Sequence, residues 1–333
     1  QPHNEEGIQM HHFGDGSNFI QRTGREYFDI FPVWDWQKIP GTTIMQKPQM
    51  HSFRDVAKKG RSDFSGGASD GRYSVLGFDF TSVHDSLKAK RAWFYFDNEY
   101  VCLGTAITTT TALPVVTTLN QSLLKGNVIV KTNKQQQTLQ KGKHALASAS
   151  WIVHDSVGYL FPKPSNLQLN NATATGSWRS INHHTWATDD PVNHDVFLAY
   201  LDHGNAKNAS YEYIVVPNVS AASLDAYGKK PPITIISNTP ELQAVSNQIL
   251  GITQSVFYSP GKVALGNDLT LSADNPCIVM ITMNRKKISK IAVAEPTHKL
   301  TSLKLTVNTR LEGSGTNWSI ANQGTKESMI TIQ

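Results

Sequence analysis

A chain of 333 residues, 39% hydrophobic and 17% charged, can bury a large core and is long enough for two domains. No apolar run approaches the roughly 18 residues of a transmembrane helix, so a helical membrane span is not expected. The formal net charge of +5 suits an acidic partner, and an anionic polysaccharide and a nucleic acid fit it equally well.

In chain order, the first features are two polar turns, Asn4-Glu5-Glu6-Gly7 and Phe13-Gly14-Asp15-Gly16. Gln1 stands where an initiator Met would be and reads as a processed or cut end. The stretch from Tyr27 to Thr43, YFDIFPVWDWQKIPGTT, gathers aromatic, acidic and amide side chains and closes on the Pro40-Gly41 turn signal. Such a mixture suits a sugar groove, because a pyranose offers an apolar C–H face and a rim of hydroxyls. Trp34 and Trp36 alternate, so on a strand they share one face, and a core role is favoured over sugar stacking.

Short segments rich in Val, Ile, Thr and aromatics then recur between Gly, Asn, Asp and Pro. They include Arg91-Ala-Trp-Phe-Tyr-Phe, Asn127-Val-Ile-Val-Lys, Ser150-Trp-Ile-Val-His, Asp195-Val-Phe-Leu-Ala-Tyr-Leu and Tyr211-Glu-Tyr-Ile-Val-Val. All read as strands, Thr108 to Thr111 reads as an exposed loop, and helical periodicity is scarce. Many strands and few helices predict stacked antiparallel sheets. Tyr227-Gly-Lys-Lys-Pro-Pro232 marks a break, giving domains at 1–230 and 231–333, the second a smaller all-β module with strands at Ser255-Val-Phe-Tyr, Lys262-Val-Ala-Leu and Cys277-Ile-Val-Met-Ile-Thr. Cys102 and Cys277 each sit inside an apolar run and read as buried free thiols.

Several chemistries find no support. The His11-His12 and His183-His184 pairs would point to opposite faces of a strand, which does not suit one zinc ion. Neither a phosphate-cradling Gly-x-x-x-x-Gly-Lys nor a nucleophile Gly-x-Ser-x-Gly is present. Nucleic-acid motifs are absent too, so the basic charge is better assigned to a polyanionic glycan.

The Tyr27–Thr43 stretch closely resembles the signature that opens the β-rich half of family 8 polysaccharide lyases, which cleave chondroitin and hyaluronan. Further resemblance lies in Asp63-Phe-Ser-Gly-Gly-Ala-Ser-Asp-Gly71, Ala92-Trp-Phe-Tyr-Phe-Asp97 with Val101-Cys-Leu-Gly104, Thr118-Leu-Asn-Gln121, His154-Asp-Ser-Val-Gly-Tyr159, Asp202-His-Gly204 and Leu242-Gln-Ala-Val245. It runs in order over nearly the whole chain.

What the resemblance implies is an all-β fold, a large antiparallel β-supersandwich followed by a smaller C-terminal β-sandwich domain. The family's Asn-x-Glu-Asn segment falls on Asn4 and Glu6, with Gly7 in place of its last Asn, and its preceding Glu falls on Gln1. Asn4 is thereby expected to neutralise a substrate carboxylate and Glu6 to orient the cleft. A Trp that stacks on substrate in relatives has no counterpart here. His51, Phe53 and Arg54 are the candidates for those contacts. No cofactor is required, but acidic residues that hold a structural calcium in some relatives correspond to Asp35, Gln37 and Gln46, which makes these the candidate metal ligands.

The resembled enzymes carry their Tyr, His, second Asn and Arg residues on an α/α-toroid N-terminal to the β half. The partners expected here are therefore an anionic polysaccharide and that N-terminal α/α-toroid domain, with no nucleic acid and no membrane, in a secreted or periplasmic protein. The expected activity is β-elimination on chondroitin sulfate or hyaluronan, dependent on the helical half. The alternative is a non-catalytic carbohydrate-binding β module.

Overall fold

A computed structural model describes residues 7–50, 59–285, 287–323 and 327–332. Two compact units emerge. One comprises residues 1–61, 80–89 and 107–229, the other residues 62–79, 90–106 and 230–333.

The first unit is built on an antiparallel sheet whose strands run in the order Thr43–Met45, Val115–Leu123, Val192–Asp202, Val157–Asn170 and Lys207–Pro217. Thr173–Gly176 pairs with Val192–Asp202, and Lys143–His154 pairs with Val157–Asn170 along its length. The ladder between those two long strands shifts register between Leu160 and Ser165. Pro162 and Pro164 lie in that interval; a proline has no N–H to give, so the pairing bulges there.

The Val115–Leu123 strand does not alternate between buried and exposed. All of its first eight residues are buried, among them Thr117, Thr118, Asn120, Gln121 and Ser122. Buried polar groups need partners, and Asn120 and Gln121 find them in the segment preceding Thr43. Thr117 bonds the hydroxyl of Thr43 and His203 Nε2 at 2.9 and 2.8 Å.

The second unit contains the Ser65–Ser69/Ser74–Thr81 hairpin and two further antiparallel sheets. One orders Ile233–Asn238, Leu242–Asn247, Ile252–Phe257, Cys277–Asn284 and Lys287–Ala294. The other orders Gly261–Gly266, Leu269–Ala273, Leu303–Val307, Glu327–Ile332, Trp318–Gln323 and Ser314–Gly315. Phe257, Val279 and Ile281 of the first pack with Leu271, Leu305, Val307 and Ile330 of the second in one core. Cys102 and Cys277 are both buried and are not joined in a disulfide.

The architecture is all-β, as the strand-rich sequence predicts. Two local readings change. Trp34 and Trp36 are not on a strand: Phe31–Val33 is a 3-10 turn started by Pro32, and Trp34 ends it. The expected break at 227–232 overlaps the end of a helix, Ala221–Lys229, followed by a strand from Ile233. Ser220 Oγ accepts the Ser223 N–H at 3.1 Å and caps that helix. Its Leu224 is wholly buried, and a Cβ at Gly158 would come within 2.7 Å of it, so close packing rather than strong periodicity holds the helix.

Two buried histidines of the first unit set an acid limit on its stability. His154 stacks on Phe197 with centroids 4.2 Å apart and accepts the Lys125 N–H at Nε2, 3.0 Å away. Burial pushes His154 and His203 down from the ordinary 6.5 to about 4. The unfolded chain takes up these protons near pH 6.5 and the folded chain only near 4, so stability is full above that window and falls as pH drops through it. Each group is expected to cost about 3 kcal/mol by pH 4. A series of Tm values from pH 7 to 4 checks this, and a His154→Gln/His203→Gln double variant should flatten the slope.

Candidate functional site

The segment from Gly7 to Met50 folds over one edge of the first unit, and the strands beneath hold it by side-chain bonds. Tyr27 Oη accepts the Ile20 N–H at 3.1 Å and donates to Asn120 Oδ1 at 2.8 Å, while Asn120 Nδ2 donates to Tyr159 Oη at 2.9 Å. Burial raises the Tyr27 phenol well above its ordinary value, so it stays protonated as a structural donor.

Gln121 acts as an extra length of backbone. Its Oε1 accepts the Asp35 N–H at 2.9 Å, and its Nε2 donates to the carbonyls of Asp35 and Lys38 at 3.0 and 2.9 Å. The Pro40-Gly41 turn is tied down from both sides. Gly41 N–H reaches Thr118 O at 2.9 Å, and Asn18 N–H reaches Pro40 O at 2.8 Å.

Between these anchors lies an aromatic cluster. Phe13, Phe19 and Trp34 stack at interplanar angles of 16–18° along Phe13–Phe19–Trp34, and Tyr27, Phe31 and Trp36 meet Trp34 edge-on. Trp34 and Trp36 are both buried, so their role is packing. The solvent side of the same unit presents Phe19, Phe31, Phe28 (73% exposed) and Trp186 (54% exposed). Trp186 lies on the turn after the Trp178–Ser180 3-10 helix, 6.1 Å from Trp178 and 5.8 Å from His184 between ring centroids.

The same unit holds a group of three imidazoles. The rings of His11 and His12 sit 5.6 and 5.8 Å from that of His84, and His12 Nδ1 is 2.7 Å from Asp15 Oδ2. The two adjacent histidines are in a turn and converge instead of splaying as they would on a strand. Burial, reinforced by the other imidazoles, pushes His84 down to about 4. Next to it Asp85 pairs with Lys47 Nζ at 2.6 Å, both side chains nearly buried. Burial alone would raise the Asp85 carboxyl; the Lys47 ammonium and the Leu87 N–H outweigh it and hold it low.

Asn4, Glu6, His51, Phe53 and Arg54 lie outside the described residues. The described residues that follow the first run and those that precede the second converge on one place. Ile8 N–H bonds Ile181 O at 3.3 Å and Gln9 Nε2 bonds Ser180 O at 3.1 Å, while Met10 and Met50 both pack on the cluster of Trp34, Trp36 and Ile181. The segments leading out of the Asn4–Glu6 run and into the His51–Arg54 run thus meet at the same aromatic core.

Asp35, Gln37 and Gln46 are brought together, but as hydrogen-bond acceptors for nitrogen. Asp35 Oδ1 accepts the Gln37 N–H at 3.0 Å, Gln37 Oε1 accepts the Lys47 N–H at 2.7 Å, and Asp35 Oδ2 and Gln46 Oε1 accept from Lys38 Nζ at 2.6 and 2.8 Å. A calcium ion needs six to eight oxygens; this set, with one carboxylate and an ammonium already inside it, does not fit one. Among the described residues no group of three His, Cys, Asp or Glu is arranged to hold a metal.

Residues 2–228 match the model of the polysaccharide lyase family 8 super-sandwich domain, and residues 234–304 match that of its C-terminal beta-sandwich domain. The chain belongs to polysaccharide lyase family 8. This family 8 chain is 37% identical to a chondroitinase-AC of Pedobacter heparinus over 89% of its own length and 42% of that protein's. It is 28% identical to a xanthan lyase of Bacillus sp. (strain GL1), over 85% of its length and 30% of the relative's. A solved chondroitinase AC lyase, studied in enzyme–oligosaccharide complexes, superposes with a TM-score of 0.87 at 34% identity, covering 99% of this chain and 46% of that one. The chain therefore spans less than half the length of these relatives.

Sequence reasoning missed Lys38, His84 and Trp186, and saw Tyr159 only inside a resembling motif. Lys38 was legible as a charge three residues after Asp35; His84 and Trp186 carried no local pattern. Asn120 and Gln121 were visible only as part of a resembling motif, with no role attached.

Proposed function

We propose that this chain is the β-rich part of a glycosaminoglycan lyase, acting on chondroitin sulfate and then hyaluronan, and that it forms one wall of a cleft completed by an N-terminal α/α-toroid domain. What supports this reading is family membership, together with the packing of Met10 and Met50, from the described segments that flank the two candidate-bearing runs, on one aromatic core. The relatives named chondroitinase-AC and hyaluronate lyase support this choice of substrate class. A secreted or periplasmic location accords with a polymeric extracellular substrate.

The chemistry assigns Asn4 its role. A uronate C5 proton is not acidic while the adjacent carboxylate keeps its charge. Donors aimed at that carboxylate stabilise the enolate that forms when the proton leaves. Asn4 supplies such a donor and Glu6 orients the groups around it. A base on the helical half takes the proton, the C4–O bond then breaks, and an unsaturated uronate remains without hydrolytic water. His51, Phe53 and Arg54 contact the neighbouring sugars, the Arg54 guanidinium being suited by its chemistry to a sulfate or carboxylate.

Absorbance of newly formed unsaturated uronate on chondroitin sulfate tests the reading. The chain alone is expected to be silent and the chain joined to its helical half active. Activity from the chain alone would overturn the split-cleft assignment, and glycan binding without activity in either form would favour the carbohydrate-binding module. Trp186 offers an exposed ring for the C–H face of a sugar. Trp186→Ala is expected to weaken binding of a chondroitin oligosaccharide by about tenfold, with Tm unchanged, as titration calorimetry would read.

A further inference from the structure

We propose that the ammonium of Lys38 is a built-in cation that closes the Asp35–Gln46 loop in place of a divalent metal, so that this chain keeps its fold without calcium.

Three directions around Lys38 Nζ are filled. Asp35 Oδ2 lies at 2.6 Å, Gln46 Oε1 at 2.8 Å, and the ring of Tyr200 has its centroid 5.2 Å away. An ammonium has three N–H donors, and a tyrosine face attracts a cation, so each donor has a destination. The side chain is only 15% exposed, which keeps the charge from simply floating in water.

The acceptors are also held by bonds that do not involve the lysine ammonium. Gln46 Nε2 donates to Gln37 O at 2.9 Å and to Ile44 O at 3.2 Å, so its amide oxygen has to face Lys38. Gln37 is clamped at both ends to the backbone of Lys47, with Nε2 on Lys47 O at 2.8 Å and Oε1 on its N–H at 2.7 Å. Lys38 itself is held at its carbonyl by Gln121 and at its N–H by Asp35 O, 2.9 Å each. The loop thus presents one carboxylate and one amide oxygen to a single point, and Nζ occupies it.

Charge decides between the two cations. One carboxylate and one ammonium sum to zero. Adding a divalent ion to the same point would leave two uncompensated positive charges in a half-buried loop, an arrangement protein interiors do not tolerate. With neutral Gln at positions 37 and 46, the loop lacks the anionic oxygens that would repay dehydration of calcium. Lys38 supplies the same bridge at no cost in bound ion and makes it independent of the medium.

The wild-type chain is stripped with EDTA and its Tm measured with and without millimolar calcium, alongside a calcium titration by calorimetry. The expected results are no shift and no binding heat. Lys38→Met should lower Tm by about 2–6 °C. The triple variant Gln37→Asp/Lys38→Ala/Gln46→Asp, which replaces the ammonium by two further carboxylates, should lose stability in EDTA and recover it with calcium. Stoichiometric calcium binding by the wild type, or an EDTA-induced fall in its Tm, overturns the proposal. So does a Lys38→Met chain as stable as the wild type. None of these readouts requires lyase activity, so the cation site and the proposed reaction stand or fall separately.

Discussion

Asn4→Ala, in a protein that carries the helical half, is expected to lower kcat on chondroitin sulfate by about 10²–10³-fold, the effect of removing one donor from an oxyanion-type site. The loss belongs in kcat, because the carboxylate gains charge density only as the C5 proton leaves; the ground-state bond is weaker, and KM should move little. Asn4→Asp should be at least as damaging, since a second anion would face the developing enolate. Glu6→Gln keeps the size and loses only charge, so a smaller loss of about tenfold is expected from an orienting role. Initial rates of unsaturated uronate formation give the numbers, and Tm of each variant checks that folding is intact. An Asn4→Ala enzyme with a rate near that of the wild type would remove Asn4 from the reaction. The same variant in the chain alone should bind oligosaccharide as before, because positioning of the polymer is assigned to His51, Phe53, Arg54 and Trp186.

The strands of this fold were legible because their β-branched and aromatic runs are bounded by turn residues. Asn127-Val-Ile-Val-Lys overlaps the strand Ile129–Thr132, and Asp195 to Leu201 falls wholly inside Val192–Asp202. The helix Ala221–Lys229 was not, since a nine-residue helix with one buried side chain shows no apolar stripe; the Ser220 cap was its one local sign. Trp34 and Trp36 were correctly assigned to packing but on the wrong backbone, because alternation across two residues looks the same in a strand and in a chain leaving a 3-10 turn. The candidate site was legible in its residue types and not in its connections. That Asn120 and Gln121 of one strand hold Tyr27, Asp35 and Lys38, about ninety positions away in sequence, follows from strand order alone. The candidate calcium ligands illustrate the difference between composition and geometry. Asp35, Gln37 and Gln46 do meet, as the resemblance implies, but the lysine between them in sequence is also between them in space.

Gly41→Ala is expected to destabilise the chain by about 3–5 kcal/mol. Two penalties add. The φ of Gly41 is +78°, a left-handed conformation that costs a residue with a Cβ on the order of 1–3 kcal/mol. The new Cβ would also lie 2.4 Å from Asn18 Cβ and 2.7 Å from Asn18 N. Overpacking of this kind costs about 1–3 kcal/mol more. Neither neighbour can swing aside, because Asn18 N–H is bonded to Pro40 O and Gly41 N–H to Thr118 O. Gly126→Ala separates the terms: its φ is +69°, yet nothing lies within 4 Å of the added Cβ, so only the conformational cost of about 1 kcal/mol should appear. Urea titrations of the two variants give the comparison, with Gly41→Ala expected to lose at least twice what Gly126→Ala loses. Equal losses would mean that Asn18 yields freely and that the Pro40-Gly41 turn is not pinned. A pinned turn matters for the site, because the strand Thr43–Met45 starts two residues later and leads, through Gln46 and Met50, straight into the His51–Arg54 run. A displaced turn should therefore weaken oligosaccharide binding in the Gly41→Ala chain even at temperatures where it remains folded, while Gly126→Ala should bind as the wild type does.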